Sequence, residues 1–153
     1  MALNVDVDRK VVSRAAVFTL TLLVPSYVVI EVVSAVAGIK DNSWFWYFSF
    51  LVVFFIMAVG GARAAAMRPE APYSHAALTT LTAFLPLVVV LLVAAAIRKG
   101  PSGMADAVFS VAFYVVVAIL FFMSAGVFGA MVVTSQRVRR SRHAAQRRHS
   151  RRG

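Results

Sequence analysis

Ala107–Gln136, AVFSVAFYVVVAILFFMSAGVFGAMVVTSQ, runs for 30 residues without a charge, and the 17 that follow, RVRRSRHAAQRRHSRRG, hold eight arginines and no acid. The uncharged run exceeds the roughly 20 residues that a helix rising 1.5 Å per residue needs to cross a hydrocarbon core about 30 Å thick. Three similar runs precede it: Ala15–Ile30, continued past Glu31 by Val32–Ile39; Asn42–Ala62; and Ala76–Ile97. With 61% hydrophobic residues and a mean hydropathy of +0.82, the 153-residue chain lies far outside the soluble globular range. The sequence therefore predicts an all-α, integral membrane four-helix bundle. Its helices cover about 11–39, 43–67, 75–97 and 104–136, and an Arg-rich tail covers 137–153.

Composition removes several classes of chemistry. There is no cysteine, which excludes disulfides, thiolate nucleophiles and thiolate metal sites. The net charge of +10 belongs to the tail: without the last 17 residues, eight basic side chains stand against six acidic ones. Arg far outnumbers Lys, and Ala and Val dominate the apolar residues, a bias that points to a high-GC bacterial genome. Arg9, Lys10 and Arg14 before an apolar run, with Ala35-Val36-Ala37 after it, have the outline of a secretory signal. The run is long for one and Glu31 interrupts it, so the segment reads as a retained transmembrane helix.

The loops set the topology. Lys40 is the one base in the first loop, beside Asp41; Arg63 and Arg68 flank the second; Arg98 and Lys99 lie in the third. With both termini in the cytoplasm, thirteen basic residues are inside and three outside, the distribution expected of a plasma-membrane protein. The bundle is thus read as N-in/C-in in a bacterial inner membrane. Trp44, Phe45, Trp46, Tyr47 and Phe48 form an aromatic belt at the outer end of the second helix. Asp41, Asn42 or Ser43 can cap that helix, and Arg68-Pro69 ends it. Ser74 is placed as the cap of the third helix, and Gly100-Pro101-Ser102-Gly103 as a turn before the fourth, with Ser102 as its cap. Connections this short join antiparallel neighbours.

Small residues mark the packing faces. Gly60, Gly61, Ala64 and Ala65 lie toward the inner end of the second helix, and Ala125, Gly126, Gly129 and Ala130 in the inner half of the fourth. Four-residue spacing of small side chains lets helix backbones approach where lipid removes the hydrophobic drive. These ridges are expected either to face each other within one chain or to seal an interface with another.

Glu31 is the one acid deep in a span, nine residues, or roughly 13 Å, from Lys40. Ionised there it costs at least ~2.5–3.5 kcal/mol, so it must face protein or water, or carry a proton. Tyr27, Glu31, Ser34 and Gly38 share one helix face, with Tyr27 and Ser34 at hydrogen-bonding spacings from the carboxylate. This intramembrane polar site has two readings: a proton- or cation-coupled site, or a structural carboxylate bonded within the bundle or paired with Arg98 or Lys99. Pro25 and Pro86 each remove a helix donor, near the carbonyls of Thr21 and Thr82.

In the tail, Arg137, Arg139, Arg140, Arg142, Arg147, Arg148, Arg151 and Arg152 form a polybasic run directly after the last span. Anionic membrane lipids are the expected partner, at up to about 1 kcal/mol per side chain before screening. An acidic surface of another membrane protein subunit is the second candidate. Nucleic acid or ribosome binding ranks third, because no aromatic residue interleaves the run to stack bases. His143 and His149 lack acidic neighbours for a metal site, and His75 reads as an interfacial side chain. No carboxylate pair, HExxH, nucleophile elbow or phosphate loop appears, so no enzyme, metal or cofactor is predicted.

Two resemblances bear on role. Glu31-Val32-Val33-Ser34 followed by Lys40 resembles the first helix of small multidrug resistance transporters, four-helix proteins whose membrane-embedded glutamate exchanges protons for cationic substrates. About ten residues match; Glu31 sits later in its helix, and the glycine-aromatic pattern of that family's third helix is missing. Gly60-Gly61-Ala62-Arg63, Pro69 and His75-Ala76 resemble a group of small four-span proteins of high-GC Gram-positive bacteria, which include accessory subunits of lipid-import complexes of the mammalian-cell-entry type. That resemblance implies a non-enzymatic accessory or regulatory subunit of a larger inner-membrane complex. The alternatives are an autonomous proton-coupled carrier or channel using Glu31, and a membrane-tethered nucleic-acid binder.

Overall fold

The computed structural model describes residues 7–39 and 43–150; within the last helix the side chains of 90–116 and 143–150 fall outside that description. Helix α1 (Arg9–Ala37) starts where the Asp8 carboxylate accepts from the N–H groups of Lys10, at 3.0 Å, and Val11, at 3.3 Å. It stops at Gly38, whose φ of 60° is the left-handed conformation that suits glycine. There the Ile39 N–H reaches back to the Ser34 carbonyl at 3.0 Å. Helix α2 (Trp44–Met67) begins after Ser43, whose side chain makes no capping bond, and ends at Arg68, before a proline that disfavours helical backbone in the residue preceding it. Lys40, Asp41 and Asn42 lie outside the described residues.

Helix α3 (Pro72–Ser150) opens two residues before the expected Ser74 cap. Pro72 fits the first helical position, where its missing N–H costs nothing. The His75 N–H closes the first turn on the Ala71 carbonyl at 3.4 Å, and the Ser74 hydroxyl donates to the same oxygen at 3.2 Å, so Ser74 lies inside the helix.

Helical backbone extends from Pro72 to Ser150, but it is not straight. Ala76 and Gly126 are about 75 Å apart along a straight helix. In the fold, a Cβ added to Gly126 would lie 2.9 Å from the Ala76 carbonyl oxygen. The rings of Phe84 and Phe122 are 5.2 Å apart. α3 therefore holds two antiparallel arms, a first over 72–89 and a second, Val117–Arg142. The contacts of Thr80 with Gly126 and of Phe84 with Phe122 are both symmetric about position 103. The expected turn at Gly100–Gly103, with Arg98 and Lys99 before it, lies outside the described side chains.

The protein is all-helical, with four helical segments. Three of them, α1, α2 and the second arm, are long and apolar enough to cross a membrane. Burial is inverted relative to a soluble protein: the core is rich in Ala, Gly and Thr, while valines and aromatics such as Val36 (84% exposed) and Trp44 (87%) face outward. Toward the chain termini the helices close on small residues. Beyond these they are held apart by rings, with Phe121 stacked 4.6 Å from Phe50 and tilted against Phe54 at 5.0 Å. Hydroxyls inside the spans bond backwards to carbonyls of their own helix, as Thr19 does to Ala15, Ser26 to Leu22, Ser49 to Phe45 and Thr82 to Leu78. In lipid this satisfies groups that water would otherwise solvate.

Candidate functional site

The polar site of Tyr27, Glu31 and Ser34 is built on the C-terminal half of α1. The Tyr27 hydroxyl donates to Glu31 Oε1 at 2.7 Å, one helical turn away, and Tyr27, Glu31 and Ser34 are all half-buried. This half of α1 is covered thinly: Val24, Val28, Val29, Val32, Val33 and Val36 are exposed around it. Between α1 and α2 lies an apolar cavity of about 380 Å³, bordered by Pro25, Val29 and Val33 on one side and Phe45, Phe48 and Val52 on the other. Glu31 is not among its lining residues. The cavity thus offers apolar space without an ionisable group.

The small-residue ridges meet within the chain. A Cβ on Gly61 would lie 2.5 Å from Gly126 Cα, and one on Gly129 would lie 2.7 Å from the Ala58 carbonyl carbon and 3.0 Å from the Ala62 amide nitrogen. Backbone therefore touches backbone between α2 and the second arm of α3. Ala64, Ala125 and Ala130 are fully buried on the same seam. Gly60 turns instead toward α1, against the Thr19 side chain.

At the end of the bundle that carries the termini, a polar cluster ties all four segments together. Asp8 Oδ2 accepts from Arg68 Nη2 at 2.8 Å and Nε at 3.2 Å, joining the start of α1 to the end of α2. His75, 1% exposed, joins α3 to the same point: its Nε2 accepts from the Asp8 N–H at 3.1 Å. Its Nδ1 sits 2.8 Å from the Ala71 carbonyl, which can only accept, so the geometry assigns the neutral Nδ1–H tautomer. Arg137 Nη2 donates to the Ala66 carbonyl at 2.8 Å, placing a cation on the last turn of α2. The Arg68 hydrogen bonds hold the Asp8 carboxyl below the ordinary carboxylate range; partial desolvation opposes this, and the Val11 and Lys10 N–H groups add to it.

The sequence signal for this cluster is partial. An Asp before a basic first turn and an apolar run is an N-cap pattern. Its partners are 60 and 67 residues away, and no local pattern links them. His75, read from sequence as an interfacial side chain, is fully buried instead.

Of the tail arginines, Arg139, Arg140 and Arg142 are exposed on helical backbone that continues from the last span. The side chains of Arg147 and Arg148, the residues Arg151 and Arg152, and both tail histidines lie outside the described side chains. Among the described residues no cluster of metal-ligating side chains occurs. No family model matches the chain, and no curated protein or solved structure matches it either.

Proposed function

We propose that this chain is a non-enzymatic accessory subunit of a larger assembly in a bacterial plasma membrane, working by packing and by charge at the membrane surface. One observation carries the reading: Glu31, the acid deep in a span, stands on the helix that its own chain covers least. Only 17% of the apolar window of α1 is buried, against 33% for α2 and 28% for the second arm. A carboxylate at that depth is normally covered by protein or by a water-filled path. A partner helix laid on α1 supplies that cover. A lipid transporter is the assembly favoured by the resemblance of the Gly60–Ala76 hairpin.

The orientation follows from charge. Arg9, Lys10, Arg14, Arg63, Arg68 and Arg137 lie at one end of the bundle, because Asp8–Arg68 and Arg137–Ala66 contacts join those ends. Both termini are placed in the cytoplasm on that basis. There the exposed tail arginines engage anionic lipid or an acidic partner surface.

A carrier is the second reading, favoured by the Tyr27–Glu31 bond and the cavity nearby. The apolar lining of that cavity, with Glu31 outside it, weighs against a solute path coupled to the carboxylate. The test places a photoreactive residue at Val32, exposed on α1, and at Val132, exposed on the second arm, in native membranes. A discrete protein adduct from position 32 and lipid adducts from 132 support the subunit. Lipid adducts from both, with proton-coupled flux lost in Glu31→Gln, favour the carrier.

A further inference from the structure

Arg14 and Arg63 stand at the same height on neighbouring antiparallel helices, near the end of the bundle that carries the termini. Arg14 is five residues inside the start of α1 and Arg63 four inside the end of α2, about 6–8 Å along each axis. The Arg63 guanidinium lies 4.1 Å from the centroid of the Phe18 ring. Phe18 is one turn beyond Arg14 on the same face of α1, so Arg14 and the ring that carries the stacked guanidinium share that face. Both arginines are exposed. Among the described residues the one ion pair is Arg68 with Asp8, whose carboxylate also caps α1. Among the described residues, then, neither of these two cations is in an ion pair.

Like charges placed together at the edge of a low-dielectric slab repel each other unless an anion bridges them. The surroundings define which anion fits. Going outward from the pair, Val17 (60% exposed) and Leu22 (38%) continue along α1, and Val59 (49%) and Phe55 (54%) along α2. A ligand bound here presents a negative group to the guanidiniums and hydrocarbon to the valine, leucine and phenylalanine surface beyond. Planar guanidiniums suit phosphate oxygens through paired N–H donors.

We infer that Arg14 and Arg63, with Phe18 as the platform that orients Arg63, form a binding site for the phosphate of an anionic phospholipid. Its acyl chains lie in the α1–α2 groove. The site is separate from the polybasic tail and is built from residues fixed in the fold. It does not depend on the subunit reading, since it needs only a bilayer on that side.

The test uses full-length protein reconstituted with mixed phosphatidylglycerol and phosphatidylcholine, then measured by native mass spectrometry after mild delipidation. Wild type should retain phosphatidylglycerol in preference to phosphatidylcholine. Removal of each guanidinium, in Arg14→Gln or Arg63→Gln, should weaken retention roughly fivefold, and the double variant more. Arg9→Gln serves as the control matched in charge to each single variant and should retain the preference. Phe18→Leu should weaken retention without changing charge. Addition of inorganic phosphate should not displace the lipid; displacement would assign the site to free phosphate and overturn the lipid assignment. For a result independent of variant folding, a photoreactive phosphatidylglycerol on wild type should label peptides containing 14–22 and 55–63. Label confined to the tail, or equal retention in the double variant, overturns the inference.

Discussion

Gly129→Ala tests the closest helix contact in the fold. The added methyl would sit 2.7 Å from the carbonyl carbon of Ala58 and 3.0 Å from the amide nitrogen of Ala62. Unstrained carbon contacts lie at about 3.5–4.0 Å, so α2 and the second arm of α3 must separate by roughly 1 Å. A gap of that size forfeits about a quarter to a half of the dispersion energy of each contact along the seam. Backbone cannot rotate away as a flexible side chain would. Overpacking of this kind costs about 1–3 kcal/mol, and the better helix propensity of alanine returns about 1 kcal/mol. The expected net loss is up to about 2 kcal/mol, at most a roughly 30-fold fall in the folded-to-unfolded ratio. Reversible unfolding in mixed micelles, followed by the fluorescence of Trp44 and Trp46, measures it. Val132→Leu adds volume on the exposed face of the same arm and should change little. If Gly129→Ala is more stable than wild type by the roughly 1 kcal/mol that alanine's helix propensity supplies, or both variants shift equally, the tight seam between α2 and the second arm does not exist in the protein.

Three further outcomes follow from the geometry. Gly60→Ala should destabilise by pressing on the Thr19 side chain, and adding Thr19→Ala should recover most of the loss; a double-mutant cycle with no coupling contradicts the α1–α2 contact. His75→Phe should cost about 1–3 kcal/mol, because the Asp8 N–H loses its acceptor, and should speed hydrogen exchange of that amide; unchanged exchange would exclude the bond. The Asp8 carboxyl has a lowered folded value, so the stability it contributes is complete above the ordinary carboxylate range and is lost as pH falls through that lowered value. Stability measured against pH should therefore drop on the acid side in wild type and drop less in Asp8→Asn, and parallel curves would count against the ion pair.

Long-range geometry separates what was legible in this sequence from what was not. Four apolar runs of membrane length announce an all-helical chain, because in lipid every backbone group must be bonded within its own segment. The stop at Arg68-Pro69 and the Tyr27–Glu31 bond were legible for local reasons, a proline's effect on the preceding residue and a spacing of one helical turn. Gly60 and Gly61 are adjacent, 100° apart on the helix, and meet different partners, Thr19 and Gly126. Spacing identifies such residues as a close-packing surface without naming the helix that fills it. The start of α3 was misplaced because Ser74 resembles a cap, whereas Pro72 is already preorganised for the first helical position. His75 looked interfacial because its burial depends on Asp8, 67 residues earlier in the chain. The Phe18–Arg63 stack that orients the proposed phosphate site is equally non-local.

We propose that the thinly covered C-terminal half of α1, with Glu31 and Tyr27, is a surface for another membrane protein. Native extraction of the full-length protein from its source membrane into polymer-bounded lipid discs, followed by mass measurement of the intact particle, tests it most directly. The account predicts a stoichiometric complex with at least one other membrane protein, which dissociates when Val28 and Val32 on α1 are both changed to tryptophan. A particle containing this chain alone, as monomer or homo-oligomer, with lipid as its one companion, would contradict it.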